Sequence, residues 1–139
     1  MKVETRMSEN KIPGLWEQFL KPINEVRQRS NEHDTYGISE YSDNYVDEWS
    51  TYWACVPVNC FEEIPEGMVA KIVSAARYVV VTHKGKLQTM GNAFDYIHTT
   101  WLPKSGYELD EKDSFELYSE RFVGGDNEES ETDLYIAIK

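Results

Sequence analysis

The sequence predicts an α+β fold: two strand–helix–strand–strand repeats forming one antiparallel sheet with two helices on one face. Three observations lead there. Two segments carry apolar residues at helical spacing. Short runs rich in aromatic and β-branched residues flank them. The order of elements in the first half recurs in the second, where YGISEYSDN is matched by ELYSERFVGGDN and TYWACVPV by TDLYIAIK. At 139 residues the whole chain, 1–139, reads as one domain, long enough to bury a core without disulfides or metal.

The first helix is read from Ile12, Leu15, Trp16, Phe19, Leu20, Ile23 and Val26, which follow the i, i+3, i+4, i+7 rule. Pro13 falls in its first turn, where proline is tolerated. Pro22 falls inside the pattern and should bend or interrupt it. Ahead of this helix, MKVETRM is a candidate first strand with few apolar positions. Residues 35–41 and 48–58 read as strands, and the acidic, Pro- and Gly-bearing stretch 61–67 as a loop. In the second half, residues 77–83 form a strand ended by Lys84-Gly85. The next helix carries Leu87, Met90, Phe94, Ile97 and Trp101 on one stripe and is stopped by Pro103 and Gly106. Gly91 sits inside it, at a cost of about 1 kcal/mol relative to alanine. SFELYSERF and TDLYIAIK close the chain as strands.

Charge and cysteine usage narrow the functions. The net charge is −11, and phosphate binding needs a Lys/Arg surface, so direct nucleic acid binding is not expected. The balance suits a cationic ligand or a basic protein, and it also simply favours solubility. Cys55 and Cys60, in CVPVNC, have neither CxxC nor zinc-pair spacing. His33, His83 and His98 are scattered, with no metal-ligand spacing. No metal, cofactor or catalytic residue is assigned, since nucleophile elbows, P-loops and dinucleotide fingerprints are missing. The start is too polar for a signal peptide, and no apolar run approaches a membrane span. A cytoplasmic protein with reduced thiols and no membrane association is expected.

The candidate ligand-binding residues come from the aromatic surplus, nine tyrosines and four tryptophans. Successive strand residues face opposite ways, so Glu116 and Tyr118 share one face, and Phe115 and Leu117 the other. An acid beside aromatic rings suits an organic cation. The plainer alternative puts Glu116 on a solvent-facing edge strand, because glutamate is rarely buried unpaired. Trp101 ends the second helical stripe and reads equally as core or pocket wall. Tyr96 lies about 180° from Leu87 on the helical wheel, hence on a rim or exposed. Tyr52 and Trp53 must face opposite ways, and Trp53 is favoured as the one turned to the helices. Aligning the repeats puts Tyr36 where Glu116 falls. Tyr107, in the turn after Gly106, completes the set. Trp16 and Phe19 read as core.

The stretch Tyr96–Trp101 with Leu102-Pro103, the turn Ser105-Gly106-Tyr107-Glu108 and Phe115-Glu116-Leu117-Tyr118 resemble the GyrI-like effector-binding domains. These include the ligand-sensing halves of AraC-type and BmrR-type transcription regulators. GLWEQF, YGISEYSDN, YWACVPV and AARYVVVTHKG extend the resemblance over nearly the whole chain. It implies a two-repeat αβ fold with a pocket for amphipathic, often cationic, molecules, as in multidrug recognition, and Glu116 as the pocket carboxylate. The regulators add a helix-turn-helix module, for which these residues have no room. The chain therefore resembles the standalone versions, some of them encoded on mobile integron cassettes. The expected function is sensing or sequestration of an amphipathic cation, with no protein partner specified. Two alternatives stand beside it: a hydrolase of reactive small molecules using Glu116, and a gyrase-inhibitor-like interaction module.

Overall fold

A computed structural model describes residues 2–6, 12–31, 33–40, 49–61, 64–110 and 112–139. The predicted positions Met1, Met7, Tyr41, Glu48, Glu62 and Glu63 lie outside them. The elements run β1 (Lys2–Arg6), α1 (Ile12–Leu20), β2 (Thr35–Ser39), β3 (Trp49–Cys55), β4 (Arg77–Lys84), α2 (Met90–Tyr96), α3 (Leu102–Ser105), β5 (Ser114–Tyr118) and β6 (Glu131–Ile138). The strands form one six-stranded sheet in the order β1-β3-β2-β5-β6-β4, and every pairing is antiparallel. That order is symmetric about the β2–β5 pair. Each half contributes its own three strands, so the predicted repeat is real at the level of topology.

α2, the turn Ile97–Trp101 and α3 run on as one helical segment, and this second helix and α1 lie on one face. Leu15 and Phe19 of α1 are buried against Tyr52 and Ala54 of β3, with Ile12 and Trp16 packed beside them. In the second half, Ile97 packs with Leu134 and Ile136 of β6, joined by Met90, Phe94 and Trp101. The register makes these one face: Gly37 pairs with Ala54 and with Glu116, and Glu116 pairs with Leu134. Directly opposed residues of an antiparallel pair point the same way. Tyr36, Ile38, Trp53, Cys55, Tyr78, Phe115 and Tyr135 alternate onto the other, helix-free face.

The two prolines act as their chemistry requires. Pro22 closes α1 at Leu20, and a short 3₁₀ turn, Ile23–Glu25, follows. Pro103 has no N–H for the carbonyl four residues back, and a π turn, Ile97–Trp101, precedes it. Within that turn His98 Nδ1 meets the Phe94 carbonyl at 2.8 Å, and the Thr99 hydroxyl donates to that of Asp95 at 2.5 Å. Side chains thus take up carbonyls at this break in the ladder. Gly106, at φ 81°, supplies the left-handed residue that ends α3. Gly91 has open space where a Cβ would stand. Gly91→Ala is therefore expected to stabilise the protein by about 0.5–1 kcal/mol, read as a shifted denaturation midpoint.

Candidate functional site

The helix-side face carries a buried carboxylate at the centre of the sheet. Glu116 is 9% exposed. On one side its neighbours belong to the α1 cluster, through Tyr52; on the other they belong to the α2 cluster, through Leu134. It thus lies beside the pseudo-two-fold axis and between the two helices. Its Oε2 accepts the Tyr52 hydroxyl at 2.9 Å and the Tyr118 hydroxyl at 3.0 Å. Trp16 Nε1–H of α1 donates to the Tyr52 hydroxyl oxygen at 3.2 Å. Trp16 also meets Tyr118 edge-on at 5.7 Å, and Tyr118 meets Phe122 at 4.8 Å. Rings therefore flank the carboxylate on several sides.

Gly37 makes this arrangement fit. It is the cross-strand partner of Glu116 on the same face. A Cβ there would overlap both the Tyr52 hydroxyl and Glu116 Oε2. The missing side chain leaves the space in which the two polar groups meet.

The electrostatics follow from burial. Removal from water raises the Glu116 pKa above the ordinary carboxylate value, and the two tyrosine hydrogen bonds only partly offset this. Among the described residues no Lys, Arg or His pairs with Glu116. Burial and the neighbouring carboxylate together push the Tyr52 and Tyr118 hydroxyls far up, so both remain proton donors. The site offers a carboxylate held by two neutral hydroxyl donors, with the rings of Trp16 and Phe122 packed edge-on against Tyr118. Such a group stabilises positive charge through its anion and through ring quadrupoles.

The other residues singled out in the sequence are dispersed. Tyr118 lies at the carboxylate. Trp101 packs against the Ile97–Leu134–Ile136 cluster and stacks on Tyr107, with centroids 6.0 Å apart. Tyr107 and Tyr96 are 44% and 53% exposed. Tyr36 lies on the helix-free face, edge-on to Phe115 at 5.5 Å. The expected equivalence of Tyr36 with Glu116 in the two repeats does not hold: Gly37 pairs with Glu116 and Tyr36 with Leu117, so Tyr36 and Glu116 lie on opposite faces. A one-residue slip moves a side chain to the other face.

The choice of Trp53 over Tyr52 is corrected for the same reason. Trp53 pairs with Ile38 on the helix-free face. It is buried there, donates from Nε1 to Glu40 at 2.6 Å, and has Lys71 Nζ 4.9 Å above its ring. Tyr52, not counted among the ligand residues from sequence, joins Tyr118 at the carboxylate, and Trp16, read as core, bonds the Tyr52 hydroxyl behind it. Gly37 was the available signal: a glycine inside a strand marks a close approach.

Fold and site together define a two-layer α+β binding domain with an acid buried between its two helices. The chain belongs to the GyrI-like small molecule binding domain family, whose model matches residues 1–139. It is 35% identical over 127 residues to the transcriptional regulator BrlR of Pseudomonas aeruginosa. That match covers 91% of this chain and 46% of BrlR, so the chain spans about half the length of its relative. In fold it is similar to SAV2435, whose structure was solved bound to tetraphenylphosphonium; the TM-score is 0.77 at 14% identity, over all of this chain and 86% of the other. It is also similar to the integron cassette protein VCH_CASS2 of Vibrio cholerae, with a TM-score of 0.70 at 17% identity, covering 100% and 87% of the two chains. Among the described residues no helix is long and apolar enough to cross a membrane.

Proposed function

We propose that this domain binds an amphipathic organic cation, with Glu116 as its counter-ion and Tyr52, Tyr118 and Trp16 as the surrounding rings. The observation that carries this reading is the buried Glu116 carboxylate, held by two tyrosine hydroxyls with no cationic partner among the described residues. A charge so placed is costly unless something compensates it. A lipophilic cation supplies the missing positive charge and an apolar body for the rings, each well-placed ring adding about 0.5–2 kcal/mol. The net charge of −11 favours approach of such a ligand. The fold likeness to SAV2435 with its phosphonium is in keeping with it. Sensing or sequestration is the role such binding serves, as the likeness to a transcriptional regulator suggests.

Binding is expected to depend on pH with a definite sign. Because burial raises the Glu116 pKa, the free protein retains that proton in part of the range where an exposed carboxylate has lost it. A cation requires the ionised form, so binding releases a proton. Apparent affinity for tetraphenylphosphonium should therefore rise with pH between the ordinary glutamate value and the raised one, then level off. Calorimetry in two buffers of different ionisation enthalpy measures the proton released, and the fluorescence of Trp16 and its neighbours follows binding. A pH-independent affinity with no proton release would remove Glu116 from the role given to it.

A further inference from the structure

The helix-free face is not bare sheet. A pocket of about 530 Å³ runs from Phe19, at the end of α1, round the end of β3 and onto this face. On the sheet side it is lined by Tyr36, Ile38, Cys55, Tyr78 and Phe115. The connection between β3 and β4 supplies the opposite wall, with Phe61, Ile64, Val69 and Val73. Lys71 pins that connection to the sheet: its ammonium pairs with Glu40 at 3.2 Å and Asp113 at 3.1 Å. Lys112 Nζ holds the Ala75 carbonyl at 2.8 Å.

We infer that this pocket is a second ligand site, for an uncharged, ring-bearing apolar molecule, separate from the Glu116 site on the far side of the sheet. Its volume falls in the range of small-molecule pockets. Its rings are already arranged edge to face, Phe115 meeting Tyr36 at 5.5 Å and Tyr78 at 5.2 Å, which is the geometry a further ring can extend. At its rim, Phe61, Ile64 and Val69 are 47%, 41% and 56% exposed, apolar surface that an occupant would cover.

Charge selects the class of ligand. No carboxylate lines the pocket among the described residues. Lys71 is neutralised by its two acids, and Arg27, also in the lining, has an interaction partner of its own. A cation or an anion entering here would lose its hydration without gaining a free counter-charge. An uncharged molecule loses nothing of the kind.

Both cysteines of the chain line this pocket, and both are free thiols, so occupancy can be read where it occurs. The neutral dye N-phenyl-1-naphthylamine is expected to bind saturably, with a rise in its fluorescence. It should slow the reaction of the thiols with a disulfide reagent in proportion to the fraction bound, whereas tetraphenylphosphonium should leave that rate unchanged. Ser74→Trp, at an exposed lining position, should weaken the dye at least about tenfold and spare the cation; Glu116→Gln should do the reverse. No saturable dye binding, dye binding without thiol protection, or equal protection by the cation would each overturn the second site. Absent dye binding, or dye binding without thiol protection, leaves the role of Glu116 untouched; that role is tested separately by the pH dependence above.

Discussion

Glu116→Gln is expected to weaken binding of a lipophilic cation by about 1.5–3 kcal/mol, the worth of a hydrogen-bonding partner that carries charge. A neutral ligand of the same shape should lose far less, because ring contacts and apolar burial remain. Glutamine keeps the size of the side chain and an oxygen to accept from Tyr52 and Tyr118. The free protein should therefore fold as before, and its pH dependence should change in a defined way. In the wild type the raised Glu116 pKa means the folded state binds more protons than the unfolded chain. That stabilisation is complete below the unfolded value and is lost as the pH rises through the folded one. The glutamine variant should lack this decline. Calorimetric titration with a matched charged and neutral pair, together with denaturation at several pH values, gives both readouts. Equal losses for the two ligands would indicate a general disturbance around residue 116 and withdraw the counter-ion role.

Gly37→Ala should damage both stability and binding, although it adds only one methyl group. Its Cβ would occupy the space where the Tyr52 hydroxyl meets Glu116 Oε2. Overpacking of a tight site costs about 1–3 kcal/mol. Displacing the tyrosine also strips the carboxylate of a donor and the Trp16 N–H of its acceptor. Cation affinity should fall alongside the denaturation midpoint. The same substitution at Gly91, with nothing near its Cβ, moves stability the other way. A tolerated Gly37→Ala with unchanged affinity would mean that the tyrosine hydroxyl is not needed beside Glu116.

The order of elements was legible because its signals are local. α1 is visible in Ile12, Leu15, Trp16 and Phe19, and its end in Pro22. Of the second stripe, Met90, Phe94, Ile97 and Trp101 pack as read, whereas Leu87 falls in a 3₁₀ turn before α2 and is exposed. Even β1, with its sparse apolar pattern, forms over Lys2–Arg6. The π turn before Pro103 was not read, since a regular helical wheel carries no trace of it.

By itself the sequence determined the α+β class, the twofold repetition of strand, helix, strand and strand, and Glu116 with Tyr118 on one strand face. Each of these rests on residues a few positions apart, where periodicity alone decides which way a side chain points. The tertiary structure alone decided which strand residues meet across the sheet. Pairing Gly37 rather than Tyr36 with Glu116 sends Tyr36 and Trp53 to the helix-free face and brings Tyr52 to the carboxylate. Register is a long-range property: it is set by how β2 packs against β5 and β3 beneath α1. A shift of one residue exchanges the two faces while leaving every local pattern intact.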